Sequence, residues 1–75
     1  MDFTMSQHAL ESTAERLVSL TMIDAVHSNP VRMPPTTRGT RYDGIVSDGR
    51  WLTVIVDETA EPIKVVTVWW TQRGR

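Results

Sequence analysis

Residues 41–70 read RYDGIVSDGRWLTVIVDETAEPIKVVTVWW, and the reading of this stretch decides the fold. It holds three β-rich runs, RYDGIVS, RWLTVIV and IKVVTVWW. Ser47-Asp48-Gly49-Arg50 joins the first two, and an Asp-Gly pair between apolar runs is a strong hairpin signal because both residues accept positive φ. DETAEP, a polar loop of ordinary length, joins the last two. Such connections make the sheet antiparallel. Neighbouring side chains on a strand point to opposite faces, so Leu52, Val54 and Val56 share one face while Trp51, Thr53 and Ile55 share the other. In the last run Ile63, Val65, Thr67 and Trp69 alternate with Lys64, Val66, Val68 and Trp70. Burying Leu52, Val54 and Val56 with Val66, Val68 and Trp70 leaves Trp51, Thr53, Thr67 and Trp69 on the reverse face. A one-residue slip across residues 57–62 exchanges Trp69 and Trp70. In either register, one tryptophan of the pair leaves the core.

Upstream of this stretch the apolar period changes. TMSQHALESTAERLVSL reads as a helix that Thr4 or Ser6 can cap, with Leu10, Ala14, Leu17 and Val18 at helical spacing. TMIDAVHS reads as a shorter helix opening at Thr21, with Asp24 three positions on and Ile23 and Val26 on its buried side. Pro30 disfavours helix at Asn29 and ends it. Val31-Arg32-Met33 can add a short edge strand, and the loop PPTTRGT carries Arg38. The expected fold is therefore α+β in one domain over residues 1–75. Two N-terminal helices (about 5–28) pack on one face of a three- to four-stranded antiparallel sheet (about 31–71), with a tail at 72–75. An antiparallel sheet of this kind can leave its second face to solvent.

Composition narrows the chemistry. The chain has 75 residues and no cysteine, which removes disulfides, thiolate metal sites and cysteine nucleophiles together. A domain this short buries little surface, so a partner or a homodimer would add stability. No apolar run reaches the length of a membrane span, and the acidic start MDFTMSQ lacks the apolar core of a secretory signal. A soluble cytoplasmic protein without membrane contact is expected. The net charge of −1 argues against a generic nucleic-acid binder. The charge is uneven, however: Arg32, Arg38, Arg41 and Arg50 face only Asp43 and Asp48 over residues 31–56. Arginine's planar fork suits phosphate and carboxylate alike.

Few residues point to catalysis. His27 reads as a helix-terminal side chain, and two histidines without a carboxylate pair at ligand spacing make neither a metal site nor a cofactor site expected. His8 suits acid–base work near neutral pH, or is a surface or half-buried histidine with no role. Arg38, Arg41 and Tyr42 put cations beside an aromatic ring, a combination that suits single-stranded nucleic acid. The plain alternative is a solvated turn. No glycine-rich phosphate loop and no serine or cysteine triad occurs.

His8-Ala9, the Thr21, Asp24 and Val26 set, Arg41-Tyr42-Asp43-Gly44 and Val66-Thr67-Val68-Trp69 form a pattern. With them the chain resembles, over about residues 6–71, a small bacterial and phage domain family of unknown function. That family is related to the RelE and BrnT ribonuclease toxins, within the colicin- and barnase-like superfamily. Two positions depart from its pattern: Ser12 stands where an arginine is common, and Trp69 where tyrosine is. The resemblance implies a RelE/BrnT-like fold and a toxin-like, metal-independent endoribonuclease of a bacterial cell or phage-infected host. It makes His8 the acid or base, Arg16 and Arg41 the phosphate-holding cations, and Thr67 the orienting hydroxyl. Arg38, Tyr42, Trp51 and Trp69 would then contact RNA. A second reading keeps the scaffold without the chemistry: the Trp/Thr face docks on an inhibitor or other protein partner, through the tryptophan and arginine anchors common at interfaces. A third is a homodimer with its sheets packed face to face.

Overall fold

The computed structural model describes residues 3–71; the tail expected over 72–75 lies outside them. Helix α1 spans Gln7–Arg16 and α2 spans Leu20–Ser28. Of the two candidate caps for α1, Ser6 is used: its Oγ accepts from the Ala9 N–H at 3.0 Å. Helix α1 ends at Leu17 in the left-handed region (φ 56°), and the N–H groups of Leu17 and Val18 both close on the Thr13 carbonyl. Helix α2 starts earlier than expected. Ser19 caps it by accepting from the Met22 N–H at 3.2 Å, which leaves Thr21 inside the first turn.

The strands are β1 (Thr4–Met5), β2 (Thr40–Ile45), β3 (Trp51–Asp57) and β4 (Lys64–Thr71), in the sheet order β1-β4-β3-β2. The β2–β3 and β3–β4 pairs are antiparallel as expected. Gly49, at φ 89°, closes the β2–β3 hairpin, in which Val46 donates to the Arg50 carbonyl at 2.9 Å. The sheet is nevertheless mixed, because β1 runs parallel to β4, pairing Thr4 with Lys64 and Met5 with Val65. This corrects the all-antiparallel expectation and the assignment of residue 5 to a helix. Thr4 donates to the Ile63 carbonyl and Ser6 to the Val65 carbonyl, joining opposite ends of the chain through two residues too few to show a period. The edge strand expected at 31–33 is a single antiparallel bridge between Arg32 and Asp43.

A bulge sets the register that alternation left open. Ile55 pairs with Thr67 but Val56 with Val65, so Val66 is the extra residue. Val65 takes the buried place expected for Val66, and the phase then carries Val68 and Trp70 to the helices and Trp69 to the reverse face. Trp70 confirms the assignment: its Nε1 donates to the Arg16 carbonyl at the end of α1.

Ala9, Val18, Ile23 and Val26 of the helical half pack with Leu52, Val54, Val56, Val65 and Val68 of the sheet. Complete burial of one such aliphatic side chain stabilises by roughly 1.5–3 kcal/mol. Gly44 lets α2 approach β2, since a Cβ there would lie 3.2 Å from both methyl groups of Val26. The helices therefore cover one face and no secondary-structure element among the described residues covers the other. None of the described helices is long and apolar enough to cross a membrane.

Candidate binding surface

The uncovered face is built by strand parity. It receives Arg41, Asp43 and Ile45 from β2, Trp51, Thr53 and Ile55 from β3, and Thr67, Trp69 and Thr71 from β4. The Arg32 bridge extends it beyond β2. At its centre, Asp43 and Thr53 have no solvent exposure and Ile55 has little. With no helix above them, they are shielded by neighbouring side chains of the same face.

Asp43 organises this layer. Its carboxylate accepts from Arg32 Nε at 2.7 Å, from Arg41 Nε at 2.9 Å and Nη2 at 3.1 Å, and from Thr53 Oγ1 at 2.8 Å. Thr53 also shares a hydrogen bond with the Thr71 hydroxyl. Burial alone would raise the pKa of Asp43, but the bonds from Arg41, Arg32 and Thr53 outweigh it and hold the carboxyl below its usual range. A buried carboxylate persists when it is paired and hydrogen-bonded, and Asp43 is both. The guanidinium groups also lie over indole rings, Arg32 Cζ 5.3 Å from the Trp51 centroid and Arg41 Cζ 5.5 Å from that of Trp69. Where the sheet ends, Arg50 stacks on Trp70 at 3.9 Å and binds Asp48 at 2.6 Å. A pocket of about 290 Å³ opens there, lined by Gly49, Arg50, Trp51, Trp70 and Thr71.

The candidate catalytic residues are divided between the two sides of the sheet. His8 is exposed in the first turn of α1, its Nε2 3.5 Å from the hydroxyl of the buried Ser12. Arg16 is exposed at the other end of α1 beside Glu15. Helix α1 packs on the helix-facing side of β4, whereas Arg41 and Thr67 belong to the reverse face. No hydrogen bond links the two pairs among the described residues, so they do not form one cleft.

The candidate binding residues divide too. Trp51 and Trp69 lie on the open face, and Arg38 is exposed in the loop before β2. Tyr42 does not join them. Strand parity turns it to the helices, where its ring sits 4.8 Å from that of His27 and its hydroxyl donates to Glu58. His27 Nε2 is 3.9 Å from the same carboxylate. Burial first, then the Glu58 bond and charge, push the Tyr42 phenol up to about 12.

Asp43 and Arg32, which organise the layer with Thr53, have no role in the site expected from the sequence. The spacing of Arg41 and Asp43 was a readable signal, since two positions apart on a strand places both on one face. Arg32 carried none, because its partner lies across a chain reversal. Among the described residues, no three histidine, aspartate or glutamate side chains gather as a metal site. No protein-family model matches this sequence, and comparison with curated proteins and with solved structures brings no match.

Proposed function

We propose that this chain is a non-catalytic binding protein whose open sheet face docks on a protein partner. One observation carries the reading: Asp43, buried, holds Arg32 and Arg41 over Trp51 and Trp69 in one hydrogen-bonded layer. Side chains already ordered before binding lose little entropy on association, and tryptophan and arginine are the residue types that most often dominate interface energetics. A RelE/BrnT-like architecture is supported by two N-terminal helices followed by an antiparallel three-strand run. The ribonuclease chemistry of that resemblance receives less support. Its acid–base residue would have to act beside the phosphate-holding cations, and His8 rides on the opposite layer.

Site-specific photocrosslinking tests the proposal. A photoreactive residue at Ile45, on the open face, should trap one discrete protein in the source cell, and the same residue at Ala14 on α1 should not. Trp69→Ala should abolish the adduct while the circular dichroism of the domain is retained. Adducts to RNA from position 45, or RNA cleavage that His8→Ala abolishes, would replace docking with the nuclease reading.

A further inference from the structure

Building on the docking reading, we infer that Arg32 and Arg41 together form a receptor for a carboxylate on the partner, an aspartate or glutamate set among apolar residues. The argument begins with the donors left over. Asp43 occupies Arg41 through Nε and Nη2 but Arg32 through Nε alone. Both Nη groups of Arg32 and Nη1 of Arg41 have no acceptor among the described residues, and side chains of both arginines reach solvent, 47% exposed for Arg32 and 25% for Arg41. Asp43 thus fixes the two guanidinium groups while leaving their other donors outward.

Charge selects the ligand. Two guanidinium groups share one buried carboxylate, which leaves a single positive charge on this part of the face. One further carboxylate balances it through charge-assisted hydrogen bonds. A run of phosphates fits less well, because a nucleic acid is held by many cations along its backbone. Here Arg50 is tied to Asp48, Arg38 adds a single exposed cation from the loop before β2, and the chain is net negative. A second copy of this chain fits less well again, since face-to-face packing would oppose arginine to arginine. Trp51 and Trp69 beneath the guanidinium groups add apolar surface, which suits an acid flanked by aliphatic side chains.

The test uses the full chain and three probes: a blocked Leu-Glu-Leu-Glu peptide, its Leu-Gln-Leu-Gln counterpart, and an oligouridylate. Nuclear magnetic resonance follows the Arg32 and Arg41 Nε–H and the indole signals. The Glu peptide should shift the Arg32 and Trp51 signals and the Gln peptide should not. Arg32→Gln should weaken the Glu peptide about tenfold, the effect of losing charge-assisted bonds. Arg32→Lys, which keeps the charge but loses the fork, should also weaken it. Both variants leave Asp43 paired with Arg41, and an unchanged Thr53 amide signal checks that the layer persists. Equal binding of both peptides would overturn the carboxylate assignment, as would tighter, Arg32-dependent binding of the oligouridylate. If no peptide shifts these signals while position 45 still traps a protein, the carboxylate receptor fails and docking stands. If the Glu peptide binds as expected and position 45 traps nothing, docking fails instead.

Discussion

Asp43, sealed from solvent, accepts from Arg41 through both Nε at 2.9 Å and Nη2 at 3.1 Å. Both residues belong to β2 and to the same face, two positions apart, so one strand supplies the anion and its clamp. Arg32 completes the arrangement from the chain segment that bridges to Asp43. The open face is held together from inside by charge, as the other face is by aliphatic packing.

Asp43→Asn should therefore destabilise the fold by about 2–3 kcal/mol, less than for a fully enclosed pair because both guanidinium groups reach solvent. Urea denaturation measures it. The carboxyl is also a pH sensor. Its folded pKa lies below its ordinary 3.8, so its contribution is fully present above that value and is lost as pH falls through the folded-state pKa. Thermal unfolding followed through the acid range should lose more stability for the native chain than for Asp43→Asn.

Tyr42 is the single tyrosine in the chain, so ultraviolet titration of phenolate reads it alone. Ionisation should occur at about 12 instead of 10.0. Glu58→Gln should lower that value part of the way, because burial, the largest cause, persists. The sign is opposite to that of Asp43: here the folded state retains the proton. Stability from this group is present below the unfolded value and is lost as pH rises towards the folded one.

Leu17 holds a left-handed conformation while 81% exposed, so its side chain contributes little packing to offset the backbone strain. Leu17→Gly should stabilise by about 1 kcal/mol, read as a rise in melting temperature. A fall would mean that the leucine makes contacts that outweigh its conformation.

Gly39 is constrained in the opposite sense. It sits at φ 64°, and a Cβ there would lie 2.4 Å from the Val56 carbonyl oxygen. Gly39→Ala should cost at least about 2 kcal/mol through strain and clash together. Gly49→Ala, with open space around it, should cost less, from its positive φ alone. Paired denaturation curves order the two variants.

His8→Ala should leave the photocrosslink from position 45 unchanged and shift stability by less than about 0.5 kcal/mol, as exposed substitutions do. A large loss of docking would join α1 to the working surface and contradict the division of the two faces.

What the sequence determined by itself is local. Asp48-Gly49 marked the hairpin because its turn needs only neighbouring residues, and alternation in β3 identified Leu52, Val54 and Val56 as the core side. Ser6 was readable as one of two candidate caps for the same reason, and the pairing of Thr4 in β1 leaves it as the cap. Alternation in β3 likewise put Trp51 and Thr53 on the reverse face, while the sequence left open whether Trp69 or Trp70 joins them. Tertiary structure decided the rest, wherever distant segments had to meet. Parallel pairing of β1 depends on the free edge of β4 at the other end of the chain. The bulge at Val66 arises from fitting β4 to β3, and it decides which tryptophan faces outward. Arg32, eleven positions from Asp43, came to share its carboxylate, whereas the turning of Tyr42 away from Arg41 needs only the alternation of β2. Chain proximity governs turns and caps; pairing between strands governs which charges meet, because only the assembled sheet brings their side chains within hydrogen-bonding reach.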